Sequence, residues 1–206
     1  MTEIRGKRRA AVLPLAVASL VLSLFPIVYL HVASVGELSP ISHTISDYIF
    51  VAHGSGLLAV TALSLAAGSV CLLLCLFSCG LPRRGPVALL IALWSAGLAV
   101  VAVFPTDPTG TPTSVSGLVH RYAGAVMFTS LPLAGWLISR RFIRSTAVRR
   151  FSFAAGVTSL AFMLSHAAVF VSNGAVYLGL FERVLFALLY GLLFALAVAA
   201  GRRVTA

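Results

Sequence analysis

The stretch Arg5-Gly6-Lys7-Arg8-Arg9-Ala10-Ala11-Val12-Leu13-Pro14-Leu15-Ala16-Val17-Ala18-Ser19-Leu20-Val21-Leu22-Ser23-Leu24-Phe25-Pro26-Ile27-Val28-Tyr29-Leu30-His31-Val32 decides the fold. A basic cluster ahead of an apolar run also opens secretory signals, but their apolar core is only roughly 7–15 residues long. The run from Ala10 to Val32 far exceeds that and reads as a retained bilayer-spanning helix, which needs about 20 apolar residues.

Working outward, five more runs of that kind follow, over Tyr48–Phe77, Val87–Phe104, Leu118–Ser139, Phe151–Ser172 and Val184–Ala200. Of the 206 residues, 60% are hydrophobic and 10% charged, against about 25% charged in soluble domains. The mean hydropathy is +1.04. The expected fold class is therefore all-α: a polytopic membrane protein, one six-helix domain over residues 1–206, with no separate soluble unit.

Lys and Arg collect on the cytoplasmic side of membrane proteins. Arg5, Lys7, Arg8 and Arg9, then Arg83 and Arg84, then Arg140, Arg141, Arg144, Arg149 and Arg150, and finally Arg202 and Arg203 alternate with the runs so that all lie on one side. These are 13 of the 15 basic residues, and they predict cytoplasmic termini in a cell membrane. The net charge of +10 thus reports topology and attraction to anionic lipid rather than nucleic-acid binding. Arg121 and Arg183 fall on the other side, at helix starts, where a specific pairing explains them better; Asp107 or Glu182 are the expected partners of Arg121. Cys71, Cys75 and Cys79 share one helix face. Their odd number and the lack of a Cys-x-x-Cys pair imply packing rather than a disulfide framework.

The polar chemistry concentrates in the connection Gly36-Glu37-Leu38-Ser39-Pro40-Ile41-Ser42-His43-Thr44-Ile45-Ser46-Asp47-Tyr48. Ser39 followed by Pro40 predicts an N-cap with proline in the first turn. On a helix starting there, Ser42, His43, Ser46, Asp47 and His53 share an arc of roughly 140° at 100° per residue. Such a helix continued to Phe77 is too long for the bilayer, so a bend is expected near Gly54 or Gly56. A second connection, Phe104-Pro105-Thr106-Asp107-Pro108, is stiffened by proline and holds Asp107 either as a site carboxylate or in an Asx-type turn. Helix four opens with Gly117-Leu118-Val119-His120-Arg121. His166 lies in helix five, and a last connection at Ser172-Asn173-Gly174 leads to Glu182.

All five histidines and four of the five acids fall on the extracytoplasmic half. The positive-inside rule does not require this, and it points to one outward-facing polar pocket of Ser42, His43, Ser46, Asp47, His53, Asp107, His120, Arg121, His166 and Glu182. Asp47, Asp107 and His120 are the catalytic candidates if the protein is an enzyme. His43, Asp47, His120 and His166 are the candidate ligands of a zinc ion, whose open position would activate water. A haem would draw on His53, His120 and His166, but such ligands normally sit deeper, so haem is not expected.

Ser39-Pro40 with His43-Thr44-Ile45-Ser46-Asp47, Phe104-Pro105-Thr106-Asp107 and Gly117-Leu118-Val119-His120 together resemble the bacterial family called domain of unknown function 998. That resemblance covers essentially the whole chain and implies a six-helix membrane protein without a known activity. Ile45-Ser46-Asp47 is also similar to a motif in eukaryotic six-helix proteins related to the fibroblast-growth-factor-receptor-activating protein, which implies a lipid-related role. A fainter similarity links the chain to the alkaline ceramidase and adiponectin-receptor superfamily, whose Ser, Asp and three His surround zinc. The chain departs from it in having six helices and no His-x-x-x-His near its end.

The expected function is a pocket that binds or acts on a membrane lipid or small amphiphile. A zinc-dependent lipid hydrolase and a structural accessory subunit are the alternatives.

Overall fold

A computed structural model of the chain describes residues 2–108, 110–172 and 177–204. Six helices run through it: α1 Thr2–Ala33, α2 Gly54–Ser78, α3 Pro86–Val103, α4 Val115–Arg141, α5 Thr146–Ser172 and α6 Leu178–Val204. All six are long and apolar enough to cross a membrane, and no strand occurs among the described residues. The chain is thus a multi-pass membrane protein. The expected connection at Asn173-Gly174 lies outside the described residues.

Consecutive helices pack as antiparallel neighbours, and α6 closes back on α1 while also reaching α2 and α4. In a bilayer, apolar side chains gain little by leaving lipid, so close packing and interhelical hydrogen bonds hold the bundle. Leu20, Leu65, Trp94, Leu131, Leu185, Leu189 and Leu192 are completely buried between helices. The Trp94 indole N–H donates to Ser69 Oγ at 2.8 Å, tying α3 to α2. Tyr190 donates to Ser23 Oγ at 2.8 Å, tying α6 to α1, while that serine donates to the Leu20 carbonyl. Cys71, Cys75 and Cys79 form no disulfide among the described residues, and all three pack in or against the main core.

The connections alternate between two ends. The loop end carries residues 34–53, the α3–α4 connection and the start of α6. The arginine end carries the α2–α3 and α4–α5 turns and the end of α6.

The start of the second helix differs from expectation. No helix begins at Ser39-Pro40; residues 40–43 form turns, Ser46–Phe50 form a short 3-10 helix, and α2 begins only at Gly54. The His43 N–H bonds the Ser39 carbonyl at 2.9 Å, which completes one turn. To continue, the N–H groups of Thr44 and Ile45 would have to bond the carbonyls of Pro40 and Ile41. Instead Thr44 donates to Asp47 Oδ2 at 2.6 Å, Ile45 donates to Glu182 Oε2, and the Ile41 carbonyl is taken by the Leu180 N–H at 3.0 Å.

Candidate functional site

The break in the chain places each polar residue of the 39–53 segment. Asp47 reaches back to the Thr44 N–H as the acid of a half-formed capping box, Thr44-Ile45-Ser46-Asp47, and is buried. His43 Nδ1 accepts the Ser39 N–H at 3.2 Å, which puts the ring proton on Nε2. His53 is exposed and takes the left-handed conformation at φ 60°, capping α2. It does not share a face with His43 and Asp47, because the single helix that would have aligned them does not exist.

The start of α6 fastens this segment down. Glu182, 4% exposed, accepts the Ile45 N–H. Arg183 donates through Nη1 to the carbonyls of His43 at 2.6 Å and Gly179 at 3.1 Å, and through Nη2 to the Tyr48 hydroxyl at 2.8 Å. Tyr48 in turn meets His31 Nδ1 at 2.7 Å. Gly179 packs so closely beneath the His43 carbonyl that a Cβ there would overlap it.

A second clasp joins the α3–α4 connection to the start of α4. Ser114, the N-cap of α4, donates its hydroxyl to Asp107 Oδ1 at 2.6 Å and its N–H to Oδ2 at 2.8 Å. The Ser116 hydroxyl donates to the Pro105 carbonyl at 2.8 Å, and His120 Nδ1 donates to the Phe104 carbonyl at 2.7 Å. His120 therefore satisfies a carbonyl left over at the end of α3 and holds its Nε2 as an acceptor.

Both oxygens of Asp107 are engaged by Ser114, seven residues on, rather than in an Asx-type turn. The Ser114 hydroxyl and then its N–H hold the carboxyl below the usual carboxylate range, with the charges of Arg121 and His120 adding to this. A depressed value stabilises the fold above the unfolded carboxyl pKa of about 4 and is lost as pH falls through the folded value. Acidification below about pH 4 is therefore expected to lower the protection of the Ser114 amide relative to its intrinsic exchange rate. Asp107→Asn should show the lowered protection at every pH; unchanged protection in both would remove the clasp.

Between the two clasps lies a cavity of about 880 Å³. Ser42, His43, Ser46, Asp47, Asp107, His120, Arg121, His166 and Glu182 all line it, and His53 does not. Asp47 acts electrostatically on both His120 and His166. The deeper walls are apolar, with Leu58 and Leu65 from α2, Leu98 from α3, Phe128 from α4, Phe162 from α5 and Phe186 from α6. The Phe128 ring stands edge-on to those of Phe162 and Phe186, each at 5.4 Å. At 1.5 Å per residue, Leu65 lies about 16 Å below the start of α2, roughly half the hydrocarbon thickness.

A family profile described as "Protein of unknown function (DUF998)" matches residues 9–199. The chain belongs to the DUF998 family. No curated protein and no solved structure matches it. In this DUF998 member, the three short motifs that carried the resemblance are the parts that interlock: 39–47 with the start of α6, and 104–107 with 114–120.

Among the described residues, no three His, Cys, Asp or Glu side chains gather as a metal site. The zinc set considered from sequence, His43, Asp47, His120 and His166, is thus not a coordination shell. His53, on the exposed surface, does not face His120 or His166 across the cavity as haem ligation would require.

Three participants stand outside the candidate pocket read from the sequence, although the sequence marks Arg183 for a specific pairing. Tyr48 and Arg183 form the latch over the 43–48 segment. Thr61, inside the apolar run of α2, is 5% exposed and lines the cavity, and its Oγ1 has no hydrogen-bond partner among the described residues. A helical threonine normally returns its hydroxyl to a carbonyl three or four residues back.

Proposed function

We propose that this protein binds a membrane amphiphile in the cavity, with the headgroup among His43, Asp47, His120, Arg121 and Glu182 and the hydrocarbon chain against Leu65, Phe128 and Phe162. The observation that carries this reading is one cavity, about 880 Å³, whose charged groups lie near the loop end and whose depths are apolar. Ligand sites of about 300–1,000 Å³ with mostly apolar walls and a few convergent polar groups are the usual form for small molecules. Thr61 Oγ1, deep in the wall and unpartnered, offers an extra donor to a polar atom along the chain. The similarity of Ile45-Ser46-Asp47 to the eukaryotic six-helix family points the same way. Nothing in the bonding of Asp47, Asp107 and His120 favours catalysis over binding.

We also propose that the loop end faces the extracytoplasmic side of the cell membrane, because 13 of the 15 basic residues belong to the opposite end or the amino-terminal segment. A reporter fused to the C-terminus should be active only in the cytoplasm; activity outside would reverse this.

Gly124 lines the cavity, and a Cβ added there meets nothing within 4 Å. Gly124→Phe should therefore start from open space at its Cβ, project into the cavity, and gain about 0.5 kcal/mol of helix propensity. Native mass spectrometry from mild detergent is expected to find one retained amphiphile on the wild-type chain and at least about tenfold less on Gly124→Phe, equivalent to about 1.4 kcal/mol. Equal retention by both chains, with Ala62→Trp on the opposite wall also neutral, would sink the proposal.

A further inference from the structure

A second cleft, at the arginine end, is independent of the first. It has a volume of about 1080 Å³ and lies between the α4–α5 turn and the end of α6. Five arginines line it: Arg140 and Arg141 from the end of α4, Arg144 from the turn, and Arg202 and Arg203 from α6. No acid lines it, since the acids of the chain are Glu3, Glu37, Asp47, Asp107 and Glu182. Ser145 and Thr146 add hydroxyls where α5 begins, at the positive end of its dipole.

The walls are fastened together rather than merely adjacent. Arg203 donates to the Phe142 carbonyl and bridges α6 to the turn. Arg140 is held over the Trp136 ring, its guanidinium carbon 5.6 Å from the ring centre.

The floor decides what kind of anion fits. It consists of Phe151, Phe194 and Val198, and Val198 is 57% exposed on a helix apolar enough to span a membrane. Exposed apolar surface at that position faces hydrocarbon, so the cleft joins a guanidinium cluster to the acyl region. Soluble phosphates match the arginines but leave the floor uncovered. A phospholipid matches both, because guanidinium groups bind phosphate oxygens in pairs and the glycerol and first acyl carbons cover the phenylalanines.

The geometry points to a binding site for an anionic phospholipid in this cleft, its phosphate held by Arg140, Arg144 and Arg202 and its acyl chains laid along Phe194 and Val198. Arg83 and Arg84 are at the same end, on the α2–α3 turn, but do not line the cleft. They separate a specific site from the general charge of that face. Near an anionic surface each basic residue contributes about fivefold in affinity.

The test is thermal stability of the full chain in mild detergent, titrated with phosphatidylglycerol, phosphatidylcholine or inorganic phosphate. Phosphatidylglycerol alone is expected to raise Tm, with its half-effect concentration shifted about 25-fold upward in Arg140→Gln/Arg144→Gln. Arg83→Gln/Arg84→Gln, at positions that do not line the cleft, should shift it much less. Val198→Glu, a carboxylate set in the floor, should weaken the response like the first pair and covers the case in which that pair does not fold. Equal losses in both arginine pairs, equal stabilisation by phosphatidylcholine or inorganic phosphate, or no response to phosphatidylglycerol would overturn the assignment.

Discussion

Glu182→Ala is expected to lower the stability of the protein by about 3 kcal/mol, the upper part of the range for leaving a buried hydrogen-bond donor without its acceptor. The carboxylate is 4% exposed and accepts the Ile45 N–H, which has lost its helical partner because Leu180 occupies the Ile41 carbonyl. Alanine leaves that N–H buried and empty. A shift of this size corresponds to a fall in Tm of about 10 °C for a chain this long. Glu182→Gln keeps an oxygen in reach of Ile45 and should recover more than half of the loss. Equal Tm values for wild type and the alanine variant would show that the 41–48 segment is held by other contacts.

Gly179→Ala is expected to be as damaging, at about 3 kcal/mol, the upper part of the range for overpacking. The added methyl would overlap the His43 carbonyl and approach the Arg183 guanidinium at 2.8 Å. A flexible side chain could swing aside, but a carbonyl that itself accepts from Arg183 at 2.6 Å has no room to do so. The substitution should release the segment from α6, so limited proteolysis between Ser39 and Phe50 ought to appear alongside the drop in Tm. Proteolysis unchanged from wild type would refute the contact. Gly124→Phe, by contrast, is expected to cost less than Gly179→Ala, because its Cβ enters open space.

The fold was legible because spanning a bilayer requires long apolar runs, and nothing in a sequence of 206 residues imitates six of them. The start of α2 was not, for a reason that is specific. Ser39-Pro40 is a sound local signal for a helix, and one turn does form there. What stops it comes from Leu180 and Glu182, far along the chain, which capture the groups needed for the second turn. Local grammar cannot register a competitor from another helix.

The same long-range bonding reshapes the candidate site. His53 was grouped with Asp47 on the strength of an unbroken helix, and the break sends it to the surface. The short motifs were conspicuous as chemistry, yet much of their hydrogen bonding is spent on one another: Asp107 on Ser114, His120 on Phe104, Glu182 on Ile45. Segregation of His and acid to one end is accounted for by two clasps that frame a cavity, with Asp47, Arg121 and His166 facing into it. Thr61 was invisible because one hydroxyl in an apolar run is ordinary; only its burial without a partner sets it apart.

The central claim, that the cavity holds an amphiphile, is tested most directly by a photoreactive acyl chain equilibrated with the protein in mild detergent and mapped by peptide sequencing after illumination. Leu65, Phe128 and Phe162 line the cavity, whereas Leu63, Leu133 and Leu160 on the same helices are 50%, 53% and 59% exposed on the outer surface. Adducts are expected at the first three, lost in Gly124→Phe, over a background at the second three that the substitution leaves alone. Adducts confined to Leu63, Leu133 and Leu160 in both proteins would contradict the claim.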